Sequence, residues 1–196
     1  MKADQLTIRL PDGKILLEDI SLSVGEGESL LITGPSGSGK STLLRTLAGL
    51  WPFAQGSLSL PKEGRMLFVP QKPYLPLGTL REVLCYPSRE LADDTVIYPV
   101  LRQCRLDHLE GRLEQMESWS HIFSLGEQQR IAFARILLNK PDFLFLDEAT
   151  SALDEHLEAH LYGLLKTLPE MSLISVGHRS TIKQWHNKEK PLITAP

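Results

Sequence analysis

Gly34-Pro35-Ser36-Gly37-Ser38-Gly39-Lys40-Ser41 is a complete G-x-x-x-x-G-K-[ST] pattern, and Thr42 follows it. An apolar run, Ser29 to Thr33, precedes it, and a helical pattern from Ser41 to Leu50 comes after. Strand, glycine-rich loop and helix are the context in which this pattern binds phosphate. The glycines let the backbone curl until successive N–H groups point at one anion. The helix N-terminus adds partial positive charge. Lys40 is then placed to reach the β- and γ-phosphates of a nucleotide, and the Ser41 hydroxyl to ligate Mg²⁺.

The flanking sequence extends this unit into a sheet. Leu6 to Leu10 alternate as a strand, Pro11-Asp12-Gly13-Lys14 is a turn signal, and Ile15 to Leu22 returns as a second strand. Met66 to Val69 and Leu173 to Val176 read as buried strands. Phe143-Leu144-Phe145-Leu146 is a run of the parallel-sheet type. Between Lys72 and about Phe123 the strand runs stop, prolines cluster and short helical patterns appear, at Leu80 to Leu84 and Thr95 to Cys104. Leu125 to Leu138 is helical, and Leu157, Leu161, Leu164, Leu165 and Leu168 share one helix face. Strands alternating with helices predict a mainly parallel sheet covered on both faces, with the reactive groups at the strands' carboxyl ends. The expected division is a catalytic core, 1–71 and 140–196, and a helical subdomain over about 72–139.

Composition narrows the partners. The chain has 196 residues, 42% hydrophobic and 23% charged, with net charge −3, an ordinary globular balance. No dense basic run marks a nucleic-acid surface, so no nucleic-acid partner is expected. No stretch approaches the roughly 18 apolar residues of a membrane span. Cys85 and Cys104 lack metal-ligand spacing and read as reduced thiols. His108, His121, His156, His160 and His186 share no ligand pattern, and packing or surface roles are expected for them.

Asp147-Glu148 follows the apolar run Phe143 to Leu146 directly. Two adjacent carboxylates at a buried strand end are costly without a cation. Mg²⁺ is the expected cation, with Asp147 holding it beside Ser41. Glu148 is then free to accept a proton from an attacking water.

At this point the chain resembles the nucleotide-binding domain of ATP-binding-cassette (ABC) ATPases, over nearly its whole length and in the family's motif order. Gln71 resembles the glutamine that contacts Mg²⁺ and senses the γ-phosphate. Ser124-Leu125-Gly126-Glu127-Gln128-Gln129-Arg130 resembles the signature motif, Ser151-Ala152-Leu153-Asp154 the D-loop, and His178 the switch histidine at the γ-phosphate. The resemblance implies a P-loop NTPase fold with an N-terminal antiparallel β portion and a helical signature subdomain. It implies ATP and Mg²⁺ as cofactors, with metal contacts from Ser41, Gln71 and Asp147. Catalysis falls to Glu148, His178, Lys40 and Gln71. A second nucleotide-binding domain is implied, because the family sandwiches ATP between the phosphate loop of one subunit and the signature of the other. A transmembrane domain, expected in the same polypeptide, completes a transport motor on the cytoplasmic side of a membrane, here the bacterial inner membrane. A soluble ABC ATPase not coupled to transport is the alternative.

Gln71 to Arg81 and Gly49-Leu50-Trp51-Pro52 resemble the branch of peroxisomal fatty-acyl and related bacterial peptide or cobalamin half-transporters. Four positions depart from the family pattern. Phe123 replaces the leading signature leucine, Leu125 replaces the first signature glycine, Glu127 replaces glutamine, and Leu10 occupies the position of the aromatic residue that stacks on adenine. Glu127 sets a carboxylate near an anionic ligand unless it turns away. Tyr74 to Leu77, apolar and stiffened by proline, is expected to dock a membrane domain's helix. Arg130 and Arg135 are expected to form structural salt bridges.

Overall fold

The computed structural model describes residues 1–60, 64–168 and 170–192. In chain order its strands and α-helices begin with β1 (Lys2–Arg9), β2 (Ile15–Ser23), β3 (Ser29–Thr33), α1 (Lys40–Leu47), β4 (Ala54–Ser59) and β5 (Met66–Val69). Then come β6 (Gly78–Thr79), α2 (Leu80–Cys85), α3 (Asp94–Gln103), β7 (Met116–Glu117), α4 (Trp119–Ile122) and α5 (Leu125–Asn139). The last are β8 (Phe143–Asp147), α6 (Glu155–Leu165), β9 (Ser172–Val176) and β10 (Lys188–Pro191). Two 3₁₀ segments, Asp107–Arg112 and Ser180–Trp185, lie between them.

The chain divides into two compact units. The first takes residues 1–68, 142–148 and the chain from 170. It holds a sheet in the order β10-β3-β9-β8-β5 and an antiparallel sheet in the order β2-β1-β4. The pairs β10–β3, β3–β9 and β9–β8 are parallel. β3, β8 and β9 are almost wholly buried, as their unbroken apolar runs require. Leu43, Leu44 and Leu47 of α1 pack with Ile32, Phe145, Ile174 and the β1 residues Ala3, Leu6 and Ile8 in one core. This packing holds α1 at the carboxyl end of β3, where the glycine-rich loop must turn. The expected α/β fold, a mainly parallel sheet with an N-terminal antiparallel portion, is the fold observed.

The second unit takes 69–141 and 149–169, so it also includes the D-loop and α6, which the sequence grouped with the strands. It is mostly helical apart from the two-residue pair β6–β7. Trp119 is buried, donates its indole N–H to the Gly78 carbonyl at 3.0 Å and stacks on Phe123. Phe133 of α5 meets Tyr162 of α6 edge-on, with ring centres 6.3 Å apart. α2 starts with a reciprocal cap in which Thr79 and Glu82 satisfy each other's free N–H groups.

Candidate active site

In the first unit the loop between β3 and α1 is shaped by glycines at positive φ. At Gly34, φ is +146° and an added Cβ would lie 2.7 Å from the Leu192 carbonyl oxygen. Gly39 caps α1 in a left-handed conformation, with no side-chain cap and no acidic residue in the first turn. The first N–H groups of α1 therefore carry no side-chain acceptor, as an anion site requires. Lys40 folds back and donates Nζ hydrogen bonds to the carbonyls of Gly34 (3.0 Å) and Pro35 (2.6 Å). Burial lowers its pKa below the ordinary lysine value, against the pull of Glu148 and Asp147. The Ser38 hydroxyl is buried in the same loop and has no hydrogen-bond partner among the described residues.

Asp147 ends β8 beside this loop. The Ser41 hydroxyl donates to its Oδ1 at 2.7 Å, and Arg45 lies 3.8 Å from its Oδ2. Two hard oxygens this close match one edge of a Mg²⁺ octahedron, about 2.9 Å for ligands at the usual distance. The donors therefore suit the expected ion. Among the described residues no three His, Cys, Asp or Glu side chains gather as a metal site.

Glu148 sits at φ +50°, in the left-handed region that glutamate rarely adopts. Its N–H donates to the Val176 carbonyl at 3.0 Å, continuing the β8–β9 ladder by one residue and holding the turn. His178 Nε2 lies 2.6 Å from Glu148 Oε1. A strained carboxylate at a strand end, hydrogen-bonded to an imidazole, is a common arrangement at reactive sites.

A cavity of about 530 Å³ adjoins the phosphate loop at Gly37 and Ser38. Its walls come from Lys14, Ile15, Leu16 and Leu17 and from Lys190 to Leu192. Leu10 is not part of that lining. The lining is mostly aliphatic, and its charged residues are Lys14, Lys190 and Glu18.

The second unit carries Gln71, the signature and the D-loop. Ser124 caps α5 through a reciprocal box: the Glu127 N–H donates to Ser124 Oγ (3.3 Å), and the Ser124 N–H donates to Glu127 Oε2 (3.0 Å). The Ser124 hydroxyl also donates to Glu127 Oε2 at 2.7 Å, and His108 Nε2 lies 3.4 Å from Oε1. Burial pushes the Glu127 carboxyl up, but the Ser124 bonds, Arg130 and His108 outweigh it and hold it below the ordinary glutamate value. Glu127 is therefore turned onto its own helix. Leu125 is partly exposed, and Gly126 has room for a Cβ at ordinary contact distance from Ala152 and Leu153. Asp154 caps α6 by accepting from the Leu157 N–H at 2.8 Å, which lowers its pKa. Gln71 Nε2 donates to Ser151 Oγ at 3.3 Å.

The expected salt bridges of Arg130 and Arg135 need correction. Both donate to backbone carbonyls rather than to carboxylates: Arg130 to Arg105, and Arg135 to Val83 and Tyr74 at 2.6 Å each. Buried Arg135 lies over the Tyr86 ring, and desolvation brings its pKa down to about 10. Sequence reading also passed over Arg45 beside Asp147. The [ST]-x-x-E pattern at Ser124 to Glu127 was a visible signal for the cap.

A family model described as ABC transporter matches residues 17–151. The chain belongs to the ABC transporter family. Relatives include an uncharacterized ABC transporter ATP-binding protein from Synechocystis, 49% identical over 190 residues, covering 94% of this chain and 29% of the relative. The human lysosomal cobalamin transporter ABCD4 is 41% identical over 199 residues, covering 94% of this chain and 33% of the relative. Human ATP-binding cassette sub-family D member 3 is 36% identical over 195 residues, covering 95% and 29%. The chain thus spans about a third of the length of these relatives. It is an ATP-binding ATPase domain of the ABC transporter family, similar to sub-family D and to bacterial ABC ATP-binding proteins. No helix among the described residues is long and apolar enough to cross a membrane.

Proposed function

We propose that this ABC domain is the hydrolytic motor of a longer transporter. It binds Mg·ATP on the phosphate loop, closes against a second nucleotide-binding domain and opens after hydrolysis. The observation that carries the chemistry is Glu148, next to the Ser41-bonded Asp147 and hydrogen-bonded to His178.

Each residue has its own part in this reaction. The N–H groups from Gly34 to Thr42 (through Pro35, Ser36, Gly37, Ser38 and Gly39, with proline contributing shape only) cradle the phosphates. Lys40 exchanges its two loop carbonyls for β- and γ-phosphate oxygens, so its charge arrives without rebuilding the loop. Ser41 and Asp147, which belong to one unit, would hold Mg²⁺, and the ion would neutralise charge on the β- and γ-phosphates. Glu148 takes the proton of the attacking water. His178 steadies that carboxylate at 2.6 Å and meets the γ-phosphate through its remaining edge. Ser124, with the backbone from Leu125 to Glu127, receives the γ-phosphate bound to the partner domain, and Asp154 fixes the D-loop by capping α6.

The chain's share of its relatives, about a third, leaves length for a membrane domain in the same polypeptide. Of the Tyr74–Leu77 segment, Tyr74 and Leu77 are 62% and 86% exposed while Leu75 is buried, so these two side chains are the ones to meet a cytoplasmic helix of that domain. The cytoplasmic face of a bacterial inner membrane is the corresponding location. Steady-state phosphate release tests the chemistry. Glu148→Gln should lower kcat by about 10²- to 10⁴-fold while ATP binding persists. Unchanged turnover in Glu148→Gln contradicts the base assignment.

A further inference from the structure

Gln129 is polar and completely buried in α5, 0% exposed. Both of its N–H donors and its carbonyl oxygen are paired, and the partners come from two other segments of the same unit. Nε2 donates to the Gln71 carbonyl at 2.9 Å and to Ser151 Oγ at 3.2 Å. Oε1 accepts from the Ala152 N–H at 3.0 Å. Gln71 Nε2 donates to the same Ser151 hydroxyl at 3.3 Å, which closes the set. One side chain on the signature helix thus fastens the backbone of Gln71 and the start of the D-loop. An apolar residue of equal length would fill the space. Only an amide donates to one loop and accepts from the other, so both are fixed to α5 in register.

We propose that Gln129 is a positioning residue for ATP hydrolysis: it clasps Gln71 and the Ser151–Asp154 turn to the signature helix so that the three present their functional groups as one piece. This rests on the hydrolytic reading above. Gln129 touches neither nucleotide nor metal in this proposal and acts through Gln71 and the D-loop.

Two variants separate the arms of the clasp. Gln129→Met keeps the length and removes all three bonds. Gln129→Glu keeps an acceptor for Ala152 and opposes carboxylate oxygen to the Gln71 carbonyl. Turnover is measured per titrated nucleotide site, so unfolded protein divides out. Both variants should bind ATP as the unsubstituted chain does, while kcat falls on the order of tenfold to a hundredfold, the scale of a small misplacement. Hydrogen exchange supplies the second readout. Gln129→Met should speed exchange in the segments around Gln71 and around Ala152 together, with β3 and β8 unchanged. Gln129→Glu should speed it more around Gln71 than at Ala152. Wild-type turnover per site in Gln129→Met, or exchange rising in neither loop, overturns the proposal. If the unsubstituted chain itself hydrolyses no ATP, the hydrolytic reading fails and the positioning role falls with it. Exchange then still reports whether the clasp exists.

Discussion

The phosphate-loop helix and the signature helix both begin where the family reading expects phosphate, yet α1 starts open and α5 starts closed. α1 leaves Gly39 with no side-chain cap and no acid in its first turn. α5 leaves Ser124 with a complete capping box and the Glu127 carboxylate on the Ser124 hydroxyl. A helix N-terminus attracts anions through unsatisfied N–H groups and the aligned peptide dipoles. In α1 no side chain caps those groups, and the neighbouring lysine donates to two loop carbonyls. In α5 an internal anion already holds the terminus. The first site is therefore built to bind phosphate alone. On the proposed reading the second would exchange one anion for another, and its affinity for nucleotide would be set by competition with its own chain.

The largest expected effect comes from disabling the open terminus. Lys40→Ala removes a charge-assisted contact worth about 2–3 kcal/mol and should weaken ATP binding by on the order of a hundredfold. Ser124→Ala should leave the same titration unchanged in the monomeric chain. Equal losses in the two variants would erase the distinction. A smaller effect is expected at the closed terminus. Glu127→Gln keeps a residue able to complete a capping box but removes the charge that holds the Ser124 hydroxyl. ATP-dependent pairing should then need about fivefold less nucleotide, the scale of one net hydrogen bond. Pairing that requires more ATP contradicts internal competition.

The smallest effect is a dependence on acid pH at the closed terminus. The Glu127 carboxyl titrates below its unfolded value, so its contribution is fully present above about pH 4.3. It is lost as pH falls through the lower folded value. Thermal melts should place the wild-type chain above Glu127→Gln at neutral pH, with the gap closing under acid. A gap that stays constant with pH would mean that the carboxylate does not hold the cap.

The contrast also explains what was legible in the sequence. The open terminus was readable because its chemistry is local: loop, lysine and Ser41 are consecutive, and β3 and β8 announce themselves as apolar runs. The Ser41–Asp147 contact followed from placing both groups at carboxyl ends of strands in one parallel sheet. β10, Lys-Glu-Lys-Pro, carries no such signal. It is an edge strand that joins β3 by backbone pairing, so its side chains are charged. The direction of Glu127 and the three partners of Gln129 depend on contacts between distant segments, which no short-range pattern encodes. Arg135 was expected to form a salt bridge on the signature helix, and in the fold carbonyls and an aromatic face take the place of a carboxylate.

The most direct test of the account is the mass of the chain with ATP when hydrolysis is blocked. Sedimentation of Glu148→Gln in Mg·ATP should give a species of twice 22.0 kDa that disperses without nucleotide. Adding Ser124→Ala to it should return the monomer with ATP still bound. A chain that remains monomeric at saturating ATP, or a dimer that survives loss of the Ser124 hydroxyl, would contradict the claim that the closed terminus receives the partner's phosphate.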